Sequence, residues 1–178
     1  DARYMVGLDG SAVEVGPGIL IRAEHTTVRG LVIRGFAGDA VRLDGGGFSR
    51  IEVNLLGGES PVDAAPANAG CGVLIVDSHD NVVGGTEPAS RNEIVANGGH
   101  GVLLSGIDAV ANSVLGNRIV ANGLDGIALT AEVPLTARGP RVVANNDQSA
   151  PMLISATQST GPDGASQGTL LEGKLQSL

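Results

Sequence analysis

The sequence predicts an all-β fold, a right-handed parallel β-helix (β-solenoid) of about five or six coils with loop insertions, on three observations. A segment recurs at a fixed offset, the apolar residues inside each copy alternate over short runs, and glycine or asparagine ends every run. Residues 92–105, NEIVANGGHGVLLS, align with residues 117–130, NRIVANGLDGIALT, with Asn92, Ile94, Asn97, Gly98 and Gly101 repeated as Asn117, Ile119, Asn122, Gly123 and Gly126. The offset is 25 throughout, 117 less 92. Self-similarity at a period of about 20 to 50 residues signals a solenoid, a propeller or an array.

Earlier copies are blurred. GILI at 18–21 begins an early turn, and Ile33 stands eight residues before Val41, the separation that Ile94 keeps from Val102 and Ile119 from Ile127. Ile19, Val41, Val73, Val102 and Ile127 form one column with spacings of 22, 32, 29 and 25. Two loops account for the longer gaps. GGESPVDAAPANAG, 57–70, is a Pro, Gly and Ala-rich excursion, and NVVGGTEPASRN, 81–92, carries a smaller one.

Runs such as GILIR, LVIRG, AVRLD and GVLLS are too short for a helix and lack its 3.6-residue period, so each reads as a short strand. A repeat of three such strands cannot bury its inward face alone, but copies stacked about 4.8 Å apart can. The leucine-rich repeat has a similar period but needs leucines that are mostly missing here, and a propeller needs blades of about 40 residues. Asn97 and Asn122 then share a corner, with Asn145 as a third. A side-chain amide donates and accepts, so these asparagines either bond one another up the column, while tolerating the left-handed turn of the corner, or each satisfies its own turn.

Composition narrows the function. Glycine takes 28 of 178 residues, while the chain has no Trp, one Tyr and two Phe. The mean hydropathy of +0.18 and the many aliphatic residues exclude disorder, so the glycine serves turns. A formal charge of −8, from 19 acidic and 11 basic side chains, repels phosphates and anionic membrane surfaces, so nucleic-acid binding is not expected; no apolar run is long enough to span a bilayer, so membrane insertion is not expected either. Cys71 is alone, so no intrachain disulfide is expected. The chain opens at Asp1 without a signal peptide and reads as a piece of a longer polypeptide.

Residues 80–130, DNVVGGTEPASRNEIVANGGHGVLLSGIDAVANSVLGNRIVANGLDGIALT, resemble the repeat of bacterial right-handed parallel β-helix proteins, the pectate-lyase-like superfamily in the broad sense. The resemblance spans about 18 to 147. It implies the β-helix over 1–147 and an extracellular or cell-surface setting. Members include polysaccharide lyases, glycoside hydrolases, phage tailspikes and surface proteins, so the fold alone does not choose an activity. Residues 148–178 lose the repeat. Their strand-like runs MLIS and TLLEGKL read as a C-terminal cap or linker leading toward a further module, or as a frayed end.

Few residues offer chemistry. His100 lies between Gly99 and Gly101, and GHG occurs in the catalytic motifs of polygalacturonases in this superfamily. The paired aspartates and the Arg-x-Lys motif that work beside it there have no counterpart here, so the resemblance leaves His100 as a lone catalytic candidate. The repeat stacks His100 with Asp39, Cys71 and Asp125, a column that admits an activated thiolate, a soft metal or an inert corner. Asp77, Asp80 and Asp108 lie near turns and offer oxygen ligands for calcium, without the nonapeptide signature of calcium-binding solenoids. Outward positions Arg42, Leu74, Leu103 and Ala128 form a strip with one charge and no aromatic ring, suited to a covering loop or another part of the parent protein. Glu93, Arg118 and Arg141 form a solvated charge ladder. No motif for an organic cofactor is present, and none is expected. These features point to a non-catalytic structural or binding module, glycan-contacting in one version, whose partners are other domains of the parent polypeptide or a polysaccharide. The alternative is a carbohydrate-active enzyme, a polysaccharide lyase or glycoside hydrolase.

Overall fold

The computed structural model describes residues 6–58, 67–130, 152–160 and 166–174, the last two stretches as backbone. After β1 (Val6–Asp9), the first winding carries β2 (Ile19–Ile21), β3 (Thr27–Arg29) and β4 (Leu31–Arg34). The second carries β5 (Val41–Asp44), β6 (Arg50–Glu52) and β7 (Leu55–Gly57), and the third β8 (Val73–Val76), β9 (Val82–Gly84) and β10 (Glu93–Val95). The fourth carries β11 (Val102–Ser105), β12 (Ser113–Leu115) and β13 (Arg118–Val120), and β14 (Ile127–Thr130) opens another. Every third strand pairs in parallel. Sheet A is β1-β4-β7-β10-β13, sheet B is β2-β5-β8-β11-β14, and sheet C is β3-β6-β9-β12. This is a right-handed parallel β-helix, the hand that connections between parallel strands adopt. Among the described residues it has four complete windings between β1 and β14.

Identical or similar side chains stack because the strands keep register. Ile19, Val41, Val73, Val102 and Ile127 are successive partners in sheet B. Leu8, Ile33, Leu56, Ile94 and Ile119 do the same in sheet A. Ile33, Leu56, Ile94, Val41, Val73 and Val102 are completely buried. At about 1.5–3 kcal/mol for each such side chain taken from water, these columns are the main source of cohesion. The alternation needed to aim one residue in and the next out is clear in β5, β8 and β11, whose burial reads buried, half-buried, buried, half-buried.

The corners are built by asparagine at all three edges. Between sheets A and B, Asn68 donates its Nδ2 to Asn97 Oδ1 at 3.0 Å, and Asn97 donates likewise to Asn122 at 3.0 Å. Between C and A, Asn54 donates to Asn92 at 3.1 Å and Asn92 to Asn117 at 2.9 Å. Between B and C, Asn81 donates to Asn112 at 2.9 Å, and Asn81 Oδ1 accepts the Ser49 backbone N–H at 3.0 Å. The expected pairing of Asn97 with Asn122 is therefore one step of a larger system. Its third described member is Asn68, while Asn145 lies outside the described residues.

The left-handed backbone falls one residue earlier than expected. Ala96 (φ 56°) and Ala121 (φ 55°) precede Asn97 and Asn122, as Val53 (φ 59°) precedes Asn54 and Ala111 (φ 55°) precedes Asn112. The residue at positive φ turns the chain from one sheet toward the next, which frees the next side chain to point inward and reach its stacked neighbour. A β-branched residue rarely adopts this conformation, so Val53 is strained locally and held by its surroundings.

Both excursions leave the stem intact. The smaller one runs from Gly85 to Asn92 with a short 3-10 turn at Pro88–Ser90, and β10 resumes the register of β7 with Glu93 opposite Leu55. By internal contacts the chain divides into residues 1–146 and 147–178. In the second unit β15 (Met152–Thr160) and β16 (Ser166–Lys174) pair antiparallel, longer than the runs MLIS and TLLEGKL suggest. No helix among the described residues is long and apolar enough to cross a membrane.

Candidate functional site

The corner leading into sheet B stacks Asp39, Cys71, His100 and Asp125. The N–H groups of Ala40, Gly72 and Gly101 donate to the carbonyls of Cys71, His100 and Asp125 at 2.9, 3.0 and 3.0 Å, so the four residues rise in consecutive windings. The glycines beside His100 have a packing reason. A Cβ on Gly101 would strike the Ile119 side chain and the Gly126 carbonyl, and one on Gly99 would press on Gly70 and Cys71. Neither has a positive φ, so close approach of the windings, rather than turn geometry, demands them.

The chemistry of this column is subdued. Asp39 Oδ1 accepts the Cys71 backbone N–H at 2.7 Å. Cys71 is buried, and desolvation pushes its thiol up to about 11; the His100 backbone N–H opposes this, while the Asp39 carboxylate adds to it. The sulfur therefore stays protonated near neutral pH, the reverse of an activated thiolate. His100 Nδ1 is buried without a hydrogen-bond partner, 3.7 Å from Asp125 Oδ2. Asp125 itself is 78% exposed in its side chain. An imidazole beside a carboxylate can exchange a proton with a ligand, and the acid beside it here is the exposed Asp125.

The calcium candidates separate into two contacts. Asp77 Oδ1 accepts the Asp108 backbone N–H at 3.3 Å, whereas Asp80 Oδ2 lies 2.9 Å from His79 Nδ1. Asp77 and Asp80 both have positive φ, at 44° and 53°. Among the described residues no three His, Cys, Asp or Glu side chains gather as a metal-binding group.

The outward strip of sheet B is in register, Arg42 beside Leu74, Leu74 beside Leu103, and Leu103 beside Ala128, all half-buried. Leu20 extends it, paired with Arg42. On sheet A, Arg118 donates to Glu93 at 3.1 Å; Arg141 lies outside the described residues.

Two clusters escape sequence reasoning. His25, Phe48 and His79 form a ring column at the corner between sheets B and C. The His25 and Phe48 rings are stacked at 5.1 Å, and Phe48 meets His79 edge-on at 5.3 Å. Such pairs contribute about 0.5–1.5 kcal/mol each. The signal lay in the sheet B column: His25 follows Ile19 by six residues, Phe48 follows Val41 by seven, and His79 follows Val73 by six. On sheet C, Glu52 is nearly buried between Arg29 at 2.7 Å and Arg50 at 3.3 Å. Compared with protein-family models, curated proteins and solved structures, the chain matches none.

Proposed function

We propose that this chain is a non-catalytic structural or binding module, a β-solenoid of the pectate-lyase-like kind within a larger extracellular or surface-associated bacterial protein. One observation carries the reading: among the described residues, apart from Glu52, the buried polar side chains, Ser49, Ser78 and the asparagines, sit in the corners. Their hydrogen bonds tie winding to winding, which suits a rigid spacer. Its partners are other domains of the parent polypeptide, and the strip along Leu74 and Leu103, with the Phe48 ring column, supplies surface for them or for a glycan.

The second reading, a polysaccharide lyase or glycoside hydrolase, is favoured by the unpartnered His100 Nδ1 beside Asp125. The two are separated by incubating the chain with neutral and acidic polysaccharides, with and without Ca²⁺, and measuring chain cleavage. The expected result is no turnover. Turnover abolished by His100→Ala would replace the module with the enzyme.

A further inference from the structure

Two corner asparagines are followed by glycine. Asn97-Gly98 and Asn122-Gly123 are the Asn-Gly dipeptides of the sequence, and they stack on each other in the ladder between sheets A and B. An asparagine before glycine is open to self-modification, because no side chain shields the glycine nitrogen. That nitrogen loses its proton and attacks the asparagine Cγ, forming an N–Cγ bond. The C–Nδ2 bond breaks and ammonia leaves with the proton, giving a five-membered succinimide. Water then opens either carbonyl, leaving aspartate or isoaspartate. The net change is consumption of water, release of ammonia and conversion of a neutral amide to an acid.

We infer that Asn97 and Asn122 are the preferred deamidation sites of this chain and that the folded corner holds both in check. Each attacking nitrogen is engaged elsewhere: Gly98 N–H donates to the Asn68 carbonyl at 2.8 Å, and Gly123 N–H donates to the Asn97 carbonyl at 2.7 Å. The side chains are anchored away from them. Asn97 Nδ2 donates to the Leu56 carbonyl at 3.0 Å and to Asn122 Oδ1 at 3.0 Å, and Asn122 Nδ2 donates to the Ile94 carbonyl at 3.2 Å. Two N–H groups of Asn97 converge on Asn122 Oδ1, which polarises that amide toward attack. Protection therefore rests on the nucleophile. The reaction must wait for a local opening that frees the glycine N–H, and the rate falls with the population of that open state.

Deamidation is also destructive to the column. At position 97 an acid replaces the Nδ2 donor with an oxygen that faces the Leu56 carbonyl and Asn122 Oδ1, so two attractions become repulsions between acceptors. A chain that reacts while open cannot close the corner again.

The test holds the full chain, folded or in concentrated urea, at the same mildly alkaline pH and temperature, and follows each asparagine by peptide mass. Asn97 and Asn122 should convert in urea and at least about tenfold more slowly in the folded protein, the ratio of an opening that breaks several hydrogen bonds. Asn92 and Asn117 occupy an equivalent ladder but precede Glu93 and Arg118, so they should stay amides in both conditions. Diluted from urea, the converted fraction should fail to refold. Equal rates in folded and unfolded chain, conversion of Asn92 or Asn117 as fast as Asn97, or full refolding of converted protein would each overturn the inference.

Discussion

Asn97 and His100 are three residues apart in one corner, and each stacks between equivalent residues of the windings before and after, yet their columns behave differently. The Asn68, Asn97 and Asn122 column is bonded at each step. The Cys71, His100 and Asp125 column has the same carbonyl-to-amide stacking of its backbone, but its side chains leave His100 Nδ1 unpartnered. The backbone repeat is common to both, so the difference belongs to the side chains. An amide carries a donor and an acceptor, so identical amides satisfy one another at any length of column. A thiol, an imidazole and a carboxylate have no such common pairing. Position in a corner does not by itself make a residue structural; complementarity with its own copy does.

The largest expected effect is on the amide column. Asn97→Leu removes the donors to Leu56 and Asn122 and the acceptor for Asn68, leaving buried partners unsatisfied. At about 1–3 kcal/mol for each stranded group, the loss should be about 3–5 kcal/mol, read from the urea midpoint. A shift below about 1 kcal/mol would mean that water or repacking replaces the ladder, which would erase the contrast between the columns.

This contrast explains which features were legible in the sequence. The aliphatic columns were: Ile19 through Ile127 in sheet B, and Ile94 with Ile119 in sheet A, all stack as the period requires, because strand register obeys a two-residue alternation that survives insertions. Leu56 and Asn68 were not, because the 57–70 excursion begins directly after Leu56 and contains Asn68, which removes the constant offset. Asn54, Asn81 and Asn112 were missed for another reason. Their ladders need the position of each corner to within one residue, and the chain bends at the residue before each of them, at Val53, Asp80 and Ala111, two of which have side chains with no turn preference. The stacking of Asp39, Cys71, His100 and Asp125 was readable from spacing, but the protonation of Cys71 was not, since it depends on burial that only packing creates.

An intermediate effect tests that burial. The Cys71 thiol is raised in the folded chain from an ordinary value near 9 to about 11, chiefly by desolvation. Folding therefore favours the protonated thiol. Its contribution to stability is complete below pH 9 and is lost as pH rises toward about 11, because the unfolded chain releases the proton first. Cys71→Ala should flatten that part of the alkaline stability curve, and alkylation of wild-type Cys71 near neutral pH should be slow until urea is added. Rapid alkylation of the folded chain would reverse the assignment and make this column reactive after all.

The smallest effect should come from His100. Its imidazole contributes packing but no hydrogen bond through Nδ1, so His100→Leu exchanges an unsatisfied buried nitrogen for carbon of similar reach. The lost packing and the relieved desolvation oppose each other, and the midpoint should stay within about 0.5 kcal/mol of wild type, as for substitutions away from any bonded network. The same residue type placed three positions earlier, in Asn97→Leu, should be several times more harmful. If His100→Leu instead matched it, the attraction of the imidazole to Asp125 across 3.7 Å would have to be holding the windings together. The two columns would then differ in the kind of bond they use, and no longer in whether they are bonded.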